Sequence, residues 1–590
     1  MDNRRLFLAA LAVLVAFLIY RAWMQDYGPK PASPAAQTKA ATTNVPPATA
    51  TVAEIPQAPG AASLSAASAS HTKSRSAAVA AAEPVTVTGE LVRVHTDLFE
   101  AVINAAGGDL EQVALEKYPA ELHTRARVKV LDDTPAESLV AQSGLQTHAG
   151  PQGPAADALY SASQTSYALA PGQHSLDVAL AWRGPDGFTV KKIFTFTRGS
   201  YRVGLRYEVT NDTPQAWTGA QYFQFRNHYN INLPHGALGY LFNVHRYDYQ
   251  RVAMYAKAGG YEQHEFKDLR DKPVDVTTPG GWTSVVSLYF LAAVIPGEAG
   301  TQAATAENLY YTRALGNEHY LIGTITGLRR VAPGASTSFA DTLYLGPKLQ
   351  ALLPTVAPDL QLTVDYGKFT IIAEPLFALL GWLHRLIGNW GWAIILLTVL
   401  VKIVFFPLNH IAYRSMAKTR AVQPKLKALQ QRYKEDKQKL AQAQMEFYKK
   451  EKINPLGGCL PMIIQIPIFF ALYYVLVYSV ELRQQPWILW IHDLSAPDPY
   501  FILPILYGAI YFVQMRIQPQ MMTDKTQRMI FQFMPLLFVV FYALFPSGLV
   551  LYYLPNSMFT VIQQWFVNRR YDEHQRAARE AKRKPAKNSR

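Results

Sequence analysis

A chain of 590 residues exceeds what one hydrophobic core supports, so several folding units are expected. Its net charge of +14 is concentrated: His410–Ile453 holds twelve Lys/Arg against four Asp/Glu, and Asn568–Arg590 holds nine against three, which excludes a uniformly basic nucleic-acid binder. The single cysteine, Cys459, excludes an internal disulfide framework and any CxxC metal site, and in its apolar run it reads as a small buried hydrophobe.

The N-terminus, "MDNRRLFLAALAVLVAFLIYRAW", couples a basic start to an apolar run from Leu6 to Tyr20. No small-residue cleavage site comes after it, so residues 1–27 read as a membrane anchor in preference to a cleaved signal peptide. Arg4 and Arg5 would keep the start cytoplasmic and send the next part of the chain outward. Residues 28–84, mostly Ala, Pro, Thr and Ser, have little to bury and read as a disordered linker. Residues 85–358 read as a large all-β sandwich in the periplasm. In "SYRVGLRYEVTN", Tyr201, Val203, Leu205, Tyr207 and Val209 alternate with polar residues, giving one buried face and one wet face. "GPDG" at Gly184–Gly187 reads as a turn, and "SVVSLYFLAAVIP" as one fully buried strand.

Residues 365–389 carry Phe377, Leu380, Leu383 and Ile387 at helical spacing, interrupted by His384 and Arg385. This segment reads as an amphipathic helix in the outer interface, with Trp382, Trp390 and Trp392 at headgroup level. Five spans are expected over 390–567, at about Trp390–Leu408, Leu460–Val480, Phe501–Met515, Met529–Phe545 and Leu549–Val567. Between the first two, residues 410–454 read as a helical hairpin. Val422, Leu426, Leu429 and Tyr433 form one apolar seam, and Leu440, Ala443 and Phe447 a second, across a polar break at Glu435–Asp436. Its lysine-rich faces fit either plain solvation or contact with anionic lipid or ribosomal RNA. The basic loops and the tail, 568–590, belong in the cytoplasm by the positive-inside rule. With the anchor this makes six spans and two cytoplasmic termini.

Nucleotide-binding, zinc-protease, nucleophile-elbow and metal-ligand motifs are all absent from the sequence, so no enzyme and no cofactor is expected. The polarity inside the apolar spans is the informative signal. Thr398, Lys402 and Asn409 fall within about 40° of one another on a helix turning 100° per residue. Tyr552, Asn556, Thr560 and Gln563 line one sector of the last span, with Tyr553, Ser557 and Gln564 beside it, and Gln465 contributes from another span. Such stripes are costly against lipid, so they converge on a wet space or hydrogen-bond between helices. Lys402 also lies close enough to a helix end to snorkel.

Several blocks carry a resemblance. "DYGKFTIIAEPLFALLGWLHRLIGNWGWAIILLTVLVK", "KINPLGGCLPMIIQIPIFFALYYVL" and "FPSGLVLYY" closely resemble the YidC insertases of Gram-negative inner membranes, and "GWTSVVSLYFLAAVIP" resembles that family's periplasmic domain. The resemblance implies a mutarotase-like sandwich without known catalysis. It also implies an insertase and chaperone that receives nascent inner-membrane proteins, alone or with the Sec translocon, and that has no small-molecule substrate. It implies a hydrophilic groove open to cytoplasm and lipid and closed to the periplasm. In the family the groove's positive charge is commonly arginine; here the position holds Lys402. Thr398, Gln465, Tyr552, Tyr553, Asn556 and Thr560 match the groove lining and substrate-contact positions, while Pro555 departs from the pattern and should kink its helix. Arg569, Arg570, Lys582, Arg583 and Lys584 in the tail are expected to contact ribosomes or anionic lipids. The main rival is an ion-coupled transporter, for which internal repeats and several midplane charges are missing. An anchored sugar-processing enzyme is a second rival.

Overall fold

The computed structural model describes residues 89–590, less 135–137, 185, 230–249, 257–258, 298–306, 317, 434–435, 452–459, 518–524 and 584–590. The expected anchor and linker, Cys459 and Lys584 therefore lie outside the described residues. The described residues divide into two compact units, one ending at residue 364 and one starting at residue 365.

The first unit is the expected all-β sandwich, with strands from Leu91 to Pro347 in sheets of eleven and nine strands. The larger sheet centres on Trp217–His228, flanked by Ser138–Ala149 and His319–Ile325. The smaller centres on Arg202–Asn211, flanked by Phe188–Thr197 and Ala335–Pro347. Period-two alternation explains the packing: Val203, Leu205, Tyr207 and Val209 are buried while Arg206 is exposed. The inner faces meet at Trp217, whose ring lies 5.5 Å from Phe188 and 6.3 Å from Phe339. The turn at Gly184–Gly187 joins Ser175–Arg183 to Phe188–Thr197, with Gly187 at φ 91° where a side chain would be strained.

One strand expectation is corrected. "SVVSLYFLAAVIP" is not one strand but parts of two, Trp282–Val286 and Phe290–Pro296, paired antiparallel. Ser287 makes the turn: its N–H donates to the Phe290 carbonyl at 2.9 Å and its Oγ accepts from the Phe290 N–H at 3.2 Å. Because the turn residues Leu288 and Tyr289 are themselves buried, hydrophobicity carried no sign of it.

The sandwich also seals in ionisable groups. Lys192 is fully buried and donates to the carbonyls of Gly107 and Ser143, each at 3.1 Å. Burial pushes its ammonium down to about 8, against the pull of Asp109, whose carboxyl burial raises. Asp109 accepts from Gln142 at 2.9 Å. These groups hold the two sheets together rather than facing a substrate, since Lys192 has no exposed surface.

The second unit is helical: α1 Thr370–Ile387, α2 Trp390–Val404, α3 Phe406–Arg432, α4 Lys437–Lys450, α5 Leu460–Tyr478, α6 Ile502–Ile517, α7 Lys525–Tyr542 and α8 Ser547–Arg583. Among the described residues, one helix, Gly367–Ile387, is by itself long and apolar enough to cross a membrane. It contains α1, whose Ile371, Trp382 and Leu386 are exposed. The pair α2 and α3 passes the same test only jointly, with a bend of 66°.

That bend corrects the expected span Trp390–Leu408. Pro407 has no N–H to offer the Ile403 carbonyl, so α2 stops at Val404 and α3 starts afresh at Phe406. Asn409 therefore belongs to another helix than Thr398 and Lys402, and the 100° arithmetic does not extend to it. α3 and α4 form a hairpin: Asp436 caps α4 by accepting from Gln438 and Lys439 N–H at 3.1 and 3.0 Å, and Lys425 pairs with Glu451 at 2.7 Å across the two helices. Aromatic contacts knit α5 to α8, among them Tyr507–Tyr542 at 4.4 Å and Phe469–Tyr553 at 5.4 Å. α8 runs unbroken through Pro555.

Candidate functional site

Helices α2 and α8 supply the polar ladder. Asn389 starts α2 by accepting from the Trp392 N–H at 3.2 Å, which fixes the phase of the residues beyond it. Thr398, fully buried, donates to the Ile394 carbonyl at 2.9 Å and lies 3.5 Å from the Tyr552 carbonyl. One turn on, Lys402 Nζ donates to Thr560 Oγ1 at 2.8 Å, and Thr560 donates in turn to the Asn556 carbonyl at 2.9 Å. An ammonium has three donors. Among the described residues Lys402 finds this one acceptor and no carboxylate, so its remaining donors are available to water or an incoming anion. Gln465 of α5 donates to the Tyr552 hydroxyl at 3.4 Å, and Tyr553 packs on Phe469 and Tyr542.

Beside this seam is a cleft of about 520 Å³ between α2, α3 and α8. Lys402 lines it, together with His410, Gln563 and Arg570 and a larger number of apolar residues. Of the residues implied for a groove, Lys402 is the one on this wall. Thr398, Tyr552, Tyr553, Asn556 and Thr560 lie buried behind it in the helix–helix seam, and Gln465 is half-buried on α5. His410, Phe406 and Ile562 were missed as wall residues. The signal was present: 559, 562, 563, 566, 567 and 570 all fall on one helical face.

The other ends of α2 and α8 are covered by the α5–α6 loop. Asn389 Nδ2 donates to the carbonyls of Pro486 and Trp487 at 3.3 and 3.4 Å. Gly391 has no room for a Cβ, which would run into the Trp487 ring. The N–H groups of Ser547 and Gly548 donate to the carbonyls of Ala496 and Leu494 at 2.7 and 2.9 Å. Asp493 and Asp498 hold the loop by accepting from Ser495 N–H at 2.7 Å and Leu503 N–H at 2.7 Å.

In the tail, Arg569 pairs with Glu573 at 3.1 Å and lies over Trp565, whereas Arg570 faces the cleft. Lys582 and Arg583 are in α8. Among the described residues no group of three His, Cys, Asp or Glu is placed to hold a metal.

Similarity to known proteins falls into two matches that meet inside α1, past the boundary between the two units. Residues 91–379 match the family described as the YidC periplasmic domain, and residues 382–575 the family described as 60Kd inner membrane protein. Over 583 residues the chain is 42% identical to a Thioalkalivibrio sulfidiphilus protein named membrane protein insertase YidC, covering 97% of this chain and 99% of that one. Among solved structures it is similar to an active YidC insertase with its first transmembrane domain resolved, at 17% identity and TM-score 0.36, over 81% of this chain and 92% of that one. A galactose mutarotase related enzyme from Lactobacillus acidophilus is similar at 9% identity and TM-score 0.30, over 43% of this chain and 97% of the other.

Proposed function

The chain belongs to the YidC family of membrane protein insertases, inner-membrane proteins with a periplasmic domain, and from that premise we propose how its own residues carry out insertion. Its clients are nascent membrane proteins, and the family is not an enzyme class. A polar segment entering the bilayer loses hydration; the cleft beside α2 and α8 restores part of it, with Lys402 attracting the acidic groups of the translocated end. The client's apolar span then leaves sideways into lipid, driven by its own hydrophobicity, without nucleotide hydrolysis. One observation carries this reading: Lys402 is hydrogen-bonded to Thr560 but unpaired by any carboxylate among the described residues, in the wall of an open cleft.

Six spans, cytoplasmic termini and an interfacial α1 complete the arrangement, with the α5–α6 loop closing the periplasmic end. The protein works alone on small clients and beside the Sec translocon on larger ones. The β-sandwich serves in docking or scaffolding. Depleting the protein should strand small inner-membrane proteins outside the bilayer, and a chain lacking most of 85–345 should restore their insertion. Loss of rescue by a truncated chain whose helical unit remains folded would relocate the function to the sandwich.

The basic tail and the α3–α4 hairpin contact ribosomes or anionic lipid electrostatically. Ribosome co-sedimentation should therefore fall steeply between about 50 and 200 mM salt, and deleting 576–590 should flatten that dependence. Equal co-sedimentation of the intact and shortened chains at low salt would remove the tail from this role.

A further inference from the structure

The cleft carries more positive charge than attraction of a client tail requires. Lys402 and Arg570 stand in its wall as cations with the imidazole of His410 beside them, and none of its lining residues is acidic. Around them the wall is apolar: Ile403, Phe406, Ile562 and Phe566 are 43–62% exposed at the surface of the chain. A free anion would gain nothing from those side chains, and a hydrophilic acidic peptide would leave them in water. An amphiphile with an anionic head satisfies both halves of the wall.

Arg570 is the group best suited to that head. Its neighbour Arg569 is occupied by Glu573 and Trp565, while Arg570 has no carboxylate partner among the described residues. A guanidinium fork matches two phosphate oxygens, and basic pockets between membrane helices on the cytoplasmic side suit phospholipid heads. The volume, about 520 Å³, lies in the range of small-ligand sites. We propose that this cleft binds one anionic phospholipid, its phosphate at Arg570 and His410 and an acyl chain along Ile562 and Phe566, which the client displaces on entry. The proposal rests on the insertase reading only for that last step; the lipid site stands or falls by binding alone.

The test is native mass spectrometry of the delipidated full-length chain, titrated with dioleoyl phosphatidylglycerol or dioleoyl phosphatidylcholine. Phosphatidylglycerol should bind about tenfold more tightly than phosphatidylcholine, because both offer the phosphate but only the choline head brings a cation next to Arg570 and Lys402. For the first lipid bound, the double variant Arg570→Ala, His410→Ala should lose that preference, Arg570→Lys should keep part of it, and Arg569→Ala should leave it intact, the tail and hairpin adding only weaker, later binding. Phe566→Ala should weaken both lipids alike. Equal affinity for the two lipids would overturn the site, as would a loss in Arg569→Ala equal to that in Arg570→Ala, which signals diffuse charge. Displacement of phosphatidylglycerol by millimolar inorganic phosphate would reassign the site to a free anion. An acidic peptide that binds equally well with and without Phe566 would assign the cleft to peptide instead.

Discussion

Replacing Lys402 by glutamate should lower insertion of a client with an acidic translocated tail by more than tenfold, while Lys402→Arg should retain it. At an effective dielectric of about 20 and a separation of about 6 Å, one charge pair is worth roughly 3 kcal/mol, and about 1.4 kcal/mol remaining after screening is a factor of ten. Lys402→Ala removes the attraction and should cost about tenfold; glutamate adds repulsion to that loss. Arginine keeps the charge and still reaches the Thr560 hydroxyl that Lys402 engages at 2.8 Å. The measurement is insertion of one small client, with its translocated carboxylates present or neutralised, in each variant at matched abundance. Equal insertion of the acidic client by the Lys, Ala and Glu forms would leave hydration and cleft shape as the explanation and exclude attraction. A defect that tracks protein abundance instead of client charge would point to a lysine that merely reaches for the membrane surface.

The second large effect is in the β-sandwich. Asp341 is buried on the strand Ala335–Pro347, where its Oδ2 accepts from Gln221 at 2.6 Å and its Oδ1 has no partner among the described residues. Burial pushes its carboxyl from 3.8 up to about 7, although the Gln221 hydrogen bond favours the charged form. The folded pKa is thus raised above the unfolded one, so the folded state holds the proton more tightly. Its stabilising contribution is full below about pH 4, is lost as pH rises towards 7, and is flat above that. Three pH units correspond to about 4 kcal/mol for a fully buried group. Asp341→Asn, neutral at every pH, should abolish this slope, so that calorimetry of the full chain shows the β transition of wild type falling relative to the variant between pH 4.5 and 8. Parallel curves would mean that Asp341 stays solvated enough to ionise freely.

The legible part of the sequence was its periodicity. Val203, Leu205, Tyr207 and Val209 announced their strand because one face is wet, and Leu426 and Phe447 announced the α3–α4 hairpin for the same reason. Periodicity is silent where both faces are buried, which is why the turn at Ser287–Tyr289 went unseen. The break at Phe405 was marked by Pro407 itself, outweighed by the continuous apolar run around it. Lys192 and Asp109 were invisible because nothing in a lone lysine or aspartate shows that chain segments far apart will close over it. The polar stripe of α8 was readable, but which of its residues face a partner helix and which the cleft depends on where α2 crosses it. Lys402 stood out because a charge in an apolar run has few uses.

The length of α8 has a mechanical consequence. Its 37 residues form one rod of about 55 Å, against a hydrocarbon layer of about 30 Å. The rod carries Thr560 beside the cleft and Arg576 about four turns further along without an intervening joint. A load borne by the protruding part is therefore transmitted as tilt to the part that walls the cleft, with no loop to absorb it. If the tail docks as proposed, a pull on it would act as a hand on a lever, loading the 2.8 Å hydrogen bond between Lys402 and Thr560 from some 20 Å away.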